Sequence, residues 1–197
     1  MPRYDAVGFD LLTALLDTLP LWRRHAGNDE LGLRWHAANQ RILRGQPYRD
    51  FATLVRESAT EVGLGAREAE QLLVHWDETD PWPDTAATLA SIGTLPRFIV
   101  TNCSRKLGEA AARKAGEFAL VMTAEAAGAY KPDPRPYRAA LGALGLEGKR
   151  VLFVAGSAHD VGGARRAGMD VYWANRLGAG PPADARSEER RVGKECW

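Results

Sequence analysis

The residues of this chain best equipped for chemistry are Asp10, Lys131 and Asp160, together with the hydroxyl and amide groups of Thr101, Asn102 and Ser157. Most of them end or closely follow a short apolar run. "AVGFD" closes on Asp10, "RFIVTN" on Thr101 and Asn102, and "VLFVAGSAHD" leads through Ser157 to Asp160. Lys131 stands in "AYKPDPRPY", whose prolines stiffen the loop against helix and sheet alike. A carboxylate at the tip of an apolar strand costs folding free energy unless something nearby stabilises it. Each residue also has a structural explanation. Asp10 fits an Asx-type turn, Thr101 and Asn102 fit the cap of a following helix, and Lys131 fits a solvated surface. Ser157 to Asp160 has the S-x-x-D form of a capping box. Taken together they fall at corresponding strand ends, in order, and would bring two carboxylates, one ammonium and a hydroxyl–amide pair to one crevice.

The elements that must position them alternate. Strand candidates are residues 4–9, 97–101, 119–123, 150–156 and 170–174, nearly continuous in hydrophobicity, as parallel strands covered on both faces are. Helical patterns lie between them at 107–116, 136–146 and 161–168, each ending near a glycine. This predicts an α/β fold, a doubly wound (Rossmann-like) parallel sheet that binds ligands outside the carboxyl ends of its strands. From about Pro20 to Asp80 no strand is expected and helical periodicity dominates. Phe51, Leu54, Val55, Ser58, Ala59 and Val62 mark one helix face, and Leu72, Leu73 and Trp76 another. The expected organisation is a core of residues 1–18 and 81–185 with an all-helical cap of residues 19–80 inserted after the first strand.

A formal net charge of +1 gives no electrostatic reason to expect nucleic acid or an anionic membrane as partner. No apolar run approaches the ~20 residues of a membrane-spanning helix, and "MPRYDAV" enters a strand-like run without a signal peptide. Two cysteines, Cys103 and Cys196, make a disulfide framework unexpected and point to a cytoplasmic setting. Residues 186–197 are charged, aperiodic and unlike the rest. "RSEERRVGKEC" resembles the in-frame translation of a sequencing adapter, and the segment is expected to be non-native. Without its four basic and three acidic residues the body is neutral, and Cys103 is its sole cysteine.

The four stations resemble the motifs of the haloacid dehalogenase superfamily: Asp10 after a strand, Thr101 after the second, Lys131 in "YKPDP" and Asp160 before "GGA". "AYKPDPRPY", "LFVAGSAHDVGGARRAG" and "VYWANR" are similar to phrases of its 2-haloacid dehalogenase branch. The resemblance implies Asp10 as nucleophile, with Lys131 and Asp160 completing the catalytic set. It implies substrate contacts from Leu11, Thr13, His36, Thr101, Asn102, Tyr137 and Ser157. It further implies a small carboxylate substrate, no cofactor or metal, and a homodimer as one possible assembly.

Phosphatases of this superfamily carry a second aspartate two residues after the nucleophile, where this chain has Leu12. An alkoxide leaving group needs a proton, whereas a halide ion does not. Leu12 therefore favours displacement of halide from a 2-haloalkanoic acid over phosphoryl transfer. A Mg²⁺-dependent phosphatase and a catalytically impaired binding protein are the alternatives. There are departures from the branch. Thr13–Ala14 replaces a Gly-Thr pair, which moves the loop hydroxyl. His36 follows Trp35 where the branch has an arginine that helps abstract halide, and only a site-facing Arg34 or Arg41 would replace it. Ala155 and Ser157 stand for a seryl-asparaginyl pair, and His159 for a large aromatic.

Overall fold

A computed structural model describes residues 3–44 and 47–180. Seven strands run in chain order as β1 (Ala6–Phe9), β2 (Leu16–Asp17), β3 (Asp80–Pro81), β4 (Arg97–Thr101), β5 (Leu120–Thr123), β6 (Val151–Ala155) and β7 (Asp170–Trp173). Five of them form one parallel sheet in the order β5-β4-β1-β6-β7. The first strand is thus central. The chain winds outward to β4 and β5 on one side and to β6 and β7 on the other, which puts the switch point of the topology beside the end of β1, where open α/β sheets bind ligands.

The helices are α1 (Leu19–Ala26), α2 (Asp29–Leu43), α3 (Phe51–Glu61), α4 (Ala66–Val74), α5 (Thr85–Ser91), α6 (Arg105–Ala115), α7 (Ala124–Ala127), α8 (Pro134–Leu144) and α9 (Ala158–Arg166). The doubly wound parallel sheet expected from the alternating pattern is present; the 97–101 strand has the expected bounds and the others differ by at most two residues at an end. The helices α6, α8 and α9 begin two or three residues earlier than the apolar periodicity indicates. The side chains of Asp133 and Ser157 accept from the Arg135 and Asp160 amides and so set the first turns of α8 and α9 ahead of the apolar stripe, whereas Ser104, at the start of α6, makes no such bond. The short helices α5 and α7 lie outside the expected set. Residues 181–197, including Cys196 and the suspected non-native segment, lie outside the described residues.

Helices α1 to α4 occupy the excursion between β2 and β3, an antiparallel pair (Leu16↔Pro81, Asp17↔Asp80) too short to leave a hydrophobic period. The α3 stripe buries Phe51, Leu54, Val55, Ser58 and Ala59. Ser58 fits among apolar neighbours because its hydroxyl donates to the Val55 carbonyl at 2.8 Å and accepts from Trp35 Nε1 at 3.0 Å. Trp22 packs edge-on against Trp35 and Trp76, and Trp76 against Phe51, making an aromatic core for the excursion. Among the described residues no helix is long and apolar enough to cross a membrane.

The central strand carries a glycine for a steric reason. Gly8 pairs with Phe98 on β4 and Phe153 on β6, and both rings close over it. A Cβ there would lie 2.6 Å from the Phe98 ring and 2.9 Å from the Phe153 ring. Overpacking of this kind costs about 1–3 kcal/mol, so Gly8→Ala is expected to lower the unfolding free energy by that amount, with a lower urea midpoint and the sheet order unchanged. An unaltered midpoint would show that the two rings move aside freely.

Candidate active site

The site is built on three groups that are almost completely buried: Asp10 is 6 % exposed, Lys131 3 % and Asp160 4 %. Asp10 follows β1 directly. Its amide still donates to the Val154 carbonyl at 2.9 Å, so the residue is fixed to the sheet before its side chain turns into the crevice. Lys131 Nζ donates to Asp10 Oδ1 at 2.6 Å and to Asp160 Oδ2 at 3.0 Å, standing between the two carboxylates. Its loop is held from the second strand end. The Lys131 amide donates to Asn102 Oδ1 at 2.7 Å, and Asn102 Nδ2 donates back to the Lys131 carbonyl at 3.3 Å. Asn102 therefore positions Lys131 in this structure and does not cap α6.

The remaining oxygens are also occupied. Asp10 Oδ2 accepts from the Thr13 hydroxyl at 2.6 Å and the Thr13 amide at 3.1 Å, so the turn role of Asp10 coexists with its ion pair. Asp160 Oδ1 accepts from the Tyr137 hydroxyl at 2.9 Å. Tyr137 itself packs edge-on against Phe153. Half of the capping box forms: the Ser157 hydroxyl accepts from the Asp160 amide at 3.4 Å, while the Asp160 side chain turns to Lys131 and Tyr137. Thr101 is fully buried, its hydroxyl accepting from the Cys103 amide at 3.4 Å.

Burial sets the electrostatics. It drives the Asp10 carboxyl upward, but the Lys131 charge and the hydrogen bonds from Lys131 and Thr13 outweigh it, holding Asp10 below the ordinary carboxylate range. For Asp160, burial together with the Asp10 charge outweighs Lys131 and Tyr137, and the group lies above that range. Burial alone would lower Lys131, yet two carboxylates keep it above the ordinary lysine value. The two acids are thereby pushed apart, one fixed as an anion and the other a better proton acceptor. Cys103, just past this strand end, is enclosed and its thiol is pushed up to about 12 by burial, so it is inert as a nucleophile.

The other sequence-predicted contacts are placed differently. The Leu11 side chain is wholly enclosed in the apolar core, so it offers a ligand only its backbone. His36 is half-buried edge-on to Trp22 at 5.4 Å, and burial pushes it down to about 4, leaving a neutral imidazole at pH 7. Arg41 pairs with Glu61, and Arg34 is exposed. Gly156, at the end of the fourth apolar run, has a steric role that sequence spacing does not reveal. A Cβ there would lie 2.5 Å from the Ala14 amide and 2.6 Å from Asp10 Oδ2, so only glycine lets the β6 end approach the Asp10 turn. A divalent ion does not fit this donor set. Lys131 fills the space between Asp10 and Asp160, the Leu12 side chain offers no oxygen, and no three His, Cys, Asp or Glu side chains converge among the described residues.

A parallel sheet switching at β1, with an aspartate there and a lysine and second aspartate facing it, defines a class. A model of the haloacid dehalogenase-like hydrolase family matches residues 6–168, and the chain belongs to that family. An (S)-2-haloacid dehalogenase of Xanthobacter autotrophicus is 34% identical over 146 residues, 70% of this chain but 57% of that protein, so the match spans less than two thirds of that relative's length. The (S)-2-haloacid dehalogenase 4A of Burkholderia cepacia is 32% identical over 215 residues, covering 96% of this chain and 91% of its own. Among solved structures, the L-2-haloacid dehalogenase from Xanthobacter autotrophicus with chloropropionic acid covalently bound superposes with a TM-score of 0.78 at 25% identity, over 85% of this chain and 76% of that one.

Removing the ammonium tests the electrostatics. Asp10 is depressed, so its stabilisation is present above the ordinary carboxylate pKa and is lost as pH falls through its own lower value. Lys131 is raised, so its share holds below the ordinary lysine pKa and is lost as pH rises through its higher one. In Lys131→Met burial lifts both acids, and protonation then favours the folded state. The variant is expected to be about 3–5 kcal/mol less stable at neutral pH, with the gap narrowing as pH falls towards about 5 in urea unfolding. A gap that stays constant would mean that the carboxylates do not depend on Lys131.

Proposed function

We propose that this protein hydrolyses a small 2-haloalkanoic acid through an aspartyl-ester intermediate, without metal, in the cytoplasm. One observation carries the reading: Asp10 is buried, held as an anion by Lys131, and has no proton donor at position 12. Burial strips water from the carboxylate and makes it a stronger nucleophile, while the ammonium stops it from taking a proton. An oxygen of Asp10 attacks C2 of the substrate and forms a C–O bond as the carbon–halogen bond breaks. The electron pair leaves with halide, so no acid is needed. Water then adds to the ester carbonyl carbon as Asp160 takes one of its protons; the tetrahedral intermediate collapses, the bond from the acyl carbon to the substrate oxygen breaks, that oxygen takes the other water proton, and the 2-hydroxy acid departs as the Asp10 carboxylate re-forms and Asp160 gives its proton to solvent. The raised position of Asp160 suits it to that step. The names of the relatives from Xanthobacter autotrophicus and Burkholderia cepacia agree with this chemistry.

A phosphatase reading has support from a 33% identical relative, the phosphatase MT3486 of Mycobacterium tuberculosis, matched over 68% of this chain. The donor set described above and Leu12 weigh against it. The deciding measurement is halide release from each enantiomer of 2-chloropropionate with EDTA present. Release from one enantiomer is expected, with Asp10→Asn slower by a factor of about 10³ or more, the scale of losing a covalent nucleophile. Hydrolysis of phosphate esters only when Mg²⁺ is added, with no halide released, would overturn the proposal.

A further inference from the structure

The site has a cation for its nucleophile but, at position 36, a neutral imidazole where the sequence resemblance calls for an arginine. Lys131 is committed to two carboxylates. An anionic substrate therefore needs a positive group from elsewhere, and the helices of the excursion carry several arginines. Arg24 pairs with Glu78, Arg41 with Glu61, Arg49 with Glu57 and Arg56 with Glu70, so each of these charges is matched by a carboxylate. Arg44 differs. It caps the C-terminus of α2, is half-buried, and its guanidinium is held by a ring nitrogen, Nε2 of His159, with no carboxylate partner among the described residues.

Two tethers fix where that guanidinium lies. On one side, His159 is in the first turn of α9, adjacent to Asp160. On the other, Pro47, three residues beyond Arg44, bridges to Ala129, and the Tyr130 hydroxyl donates to the Arg49 carbonyl at 2.7 Å. Ala129 and Tyr130 lead directly into Lys131. Arg44 thus stands where the excursion meets the rim of the crevice, between the chain segments that carry Lys131 and Asp160. Its partner Nε2 is a neutral acceptor. A carboxylate accepts from a guanidinium through shorter, charge-assisted and often bidentate bonds, roughly twice as strong, so exchange of imidazole for carboxylate is favourable.

We propose that Arg44 binds the carboxylate of the substrate at the mouth of the crevice, releasing His159 as it does so, and that it supplies the positive charge absent from position 36. The proposal rests on the anionic substrate class inferred above, and its test is independent of turnover. Propionate, which has no leaving group, is titrated calorimetrically into the full chain at constant ionic strength, with propionamide as the neutral control. Arg44→Gln is expected to weaken propionate binding about tenfold to a hundredfold, the scale of one hydrogen-bonded charge. Arg44→Lys should retain an intermediate affinity, with propionamide binding and the thermal midpoint unchanged in both. His159→Ala should bind propionate as tightly as the parent or more so, because Arg44 then has less to give up. Parental affinity in Arg44→Gln, equal loss of propionate and propionamide, or no binding of propionate by the parent would each overturn the assignment. Should Arg44→Gln fail to fold, the affinity of Arg44→Lys against the parent decides it. Arg44-dependent binding in a protein that releases no halide would overturn the dehalogenase reading and leave this one standing.

Discussion

The structure depends on one buried ammonium. Two carboxylates brought from opposite ends of the chain, Asp10 and Asp160, cannot share an interior site as free anions, because their desolvation and mutual repulsion would each cost several kcal/mol. Lys131 resolves this at 2.6 and 3.0 Å, and most of the core architecture can be understood as the means of holding it there. Asn102 clamps its backbone in both directions, Tyr137 takes the outer oxygen of Asp160, and Thr13 the outer oxygen of Asp10. Each of the three strand ends that meet at the switch point contributes one part of the arrangement.

That arrangement is asymmetric in a useful way. Asp10 receives the shorter bond from Lys131 and two more from Thr13, and stays ionised. Asp160 receives the longer bond and feels Asp10 as a like charge, and rises. A nucleophile and a proton acceptor are thus separated by environment and not by residue type. The neutral surroundings at the excursion face, where His36 lies against Trp22, contrast with this charged floor.

Much of this was legible in the sequence, for a physical reason. A parallel strand is buried on both faces, so its apolar run ends abruptly at the sheet edge, and a polar residue at that point is conspicuous. Asp10, Thr101 and the approach to Asp160 all stand out in this way, and Lys131 is marked by its prolines. Contacts set by tertiary geometry left no such trace. Nothing in the spacing reveals that Thr13 serves Asp10, that Asn102 grips the Lys131 backbone, or that Arg44 meets a residue 115 positions away. Leu11 shows the converse: it borders the nucleophile in sequence, yet in the bend after β1 its side chain turns into the core. Apolar periodicity marks the starts of α8 and α9 late because it sees the buried stripe and not the polar cap that begins the first turn.

The short pairing of β2 with β3 has a consequence for how this architecture can change. The Trp82 amide and the Thr85 hydroxyl both bond to the Leu15 carbonyl, and Trp82 Nε1 reaches the Thr13 carbonyl, so the two ends of the helical excursion are fastened side by side. With the ends closed, lengthening the excursion adds entropy cost only logarithmically, about 0.6 kcal/mol for each doubling. A replacement of different size would keep that fastening and give up the excursion's further contacts, Arg44 with His159, Arg49 with Tyr130 and Pro47 with Ala129. The excursion is in effect a module on a fixed socket, its size limited less by the socket than by those few contacts.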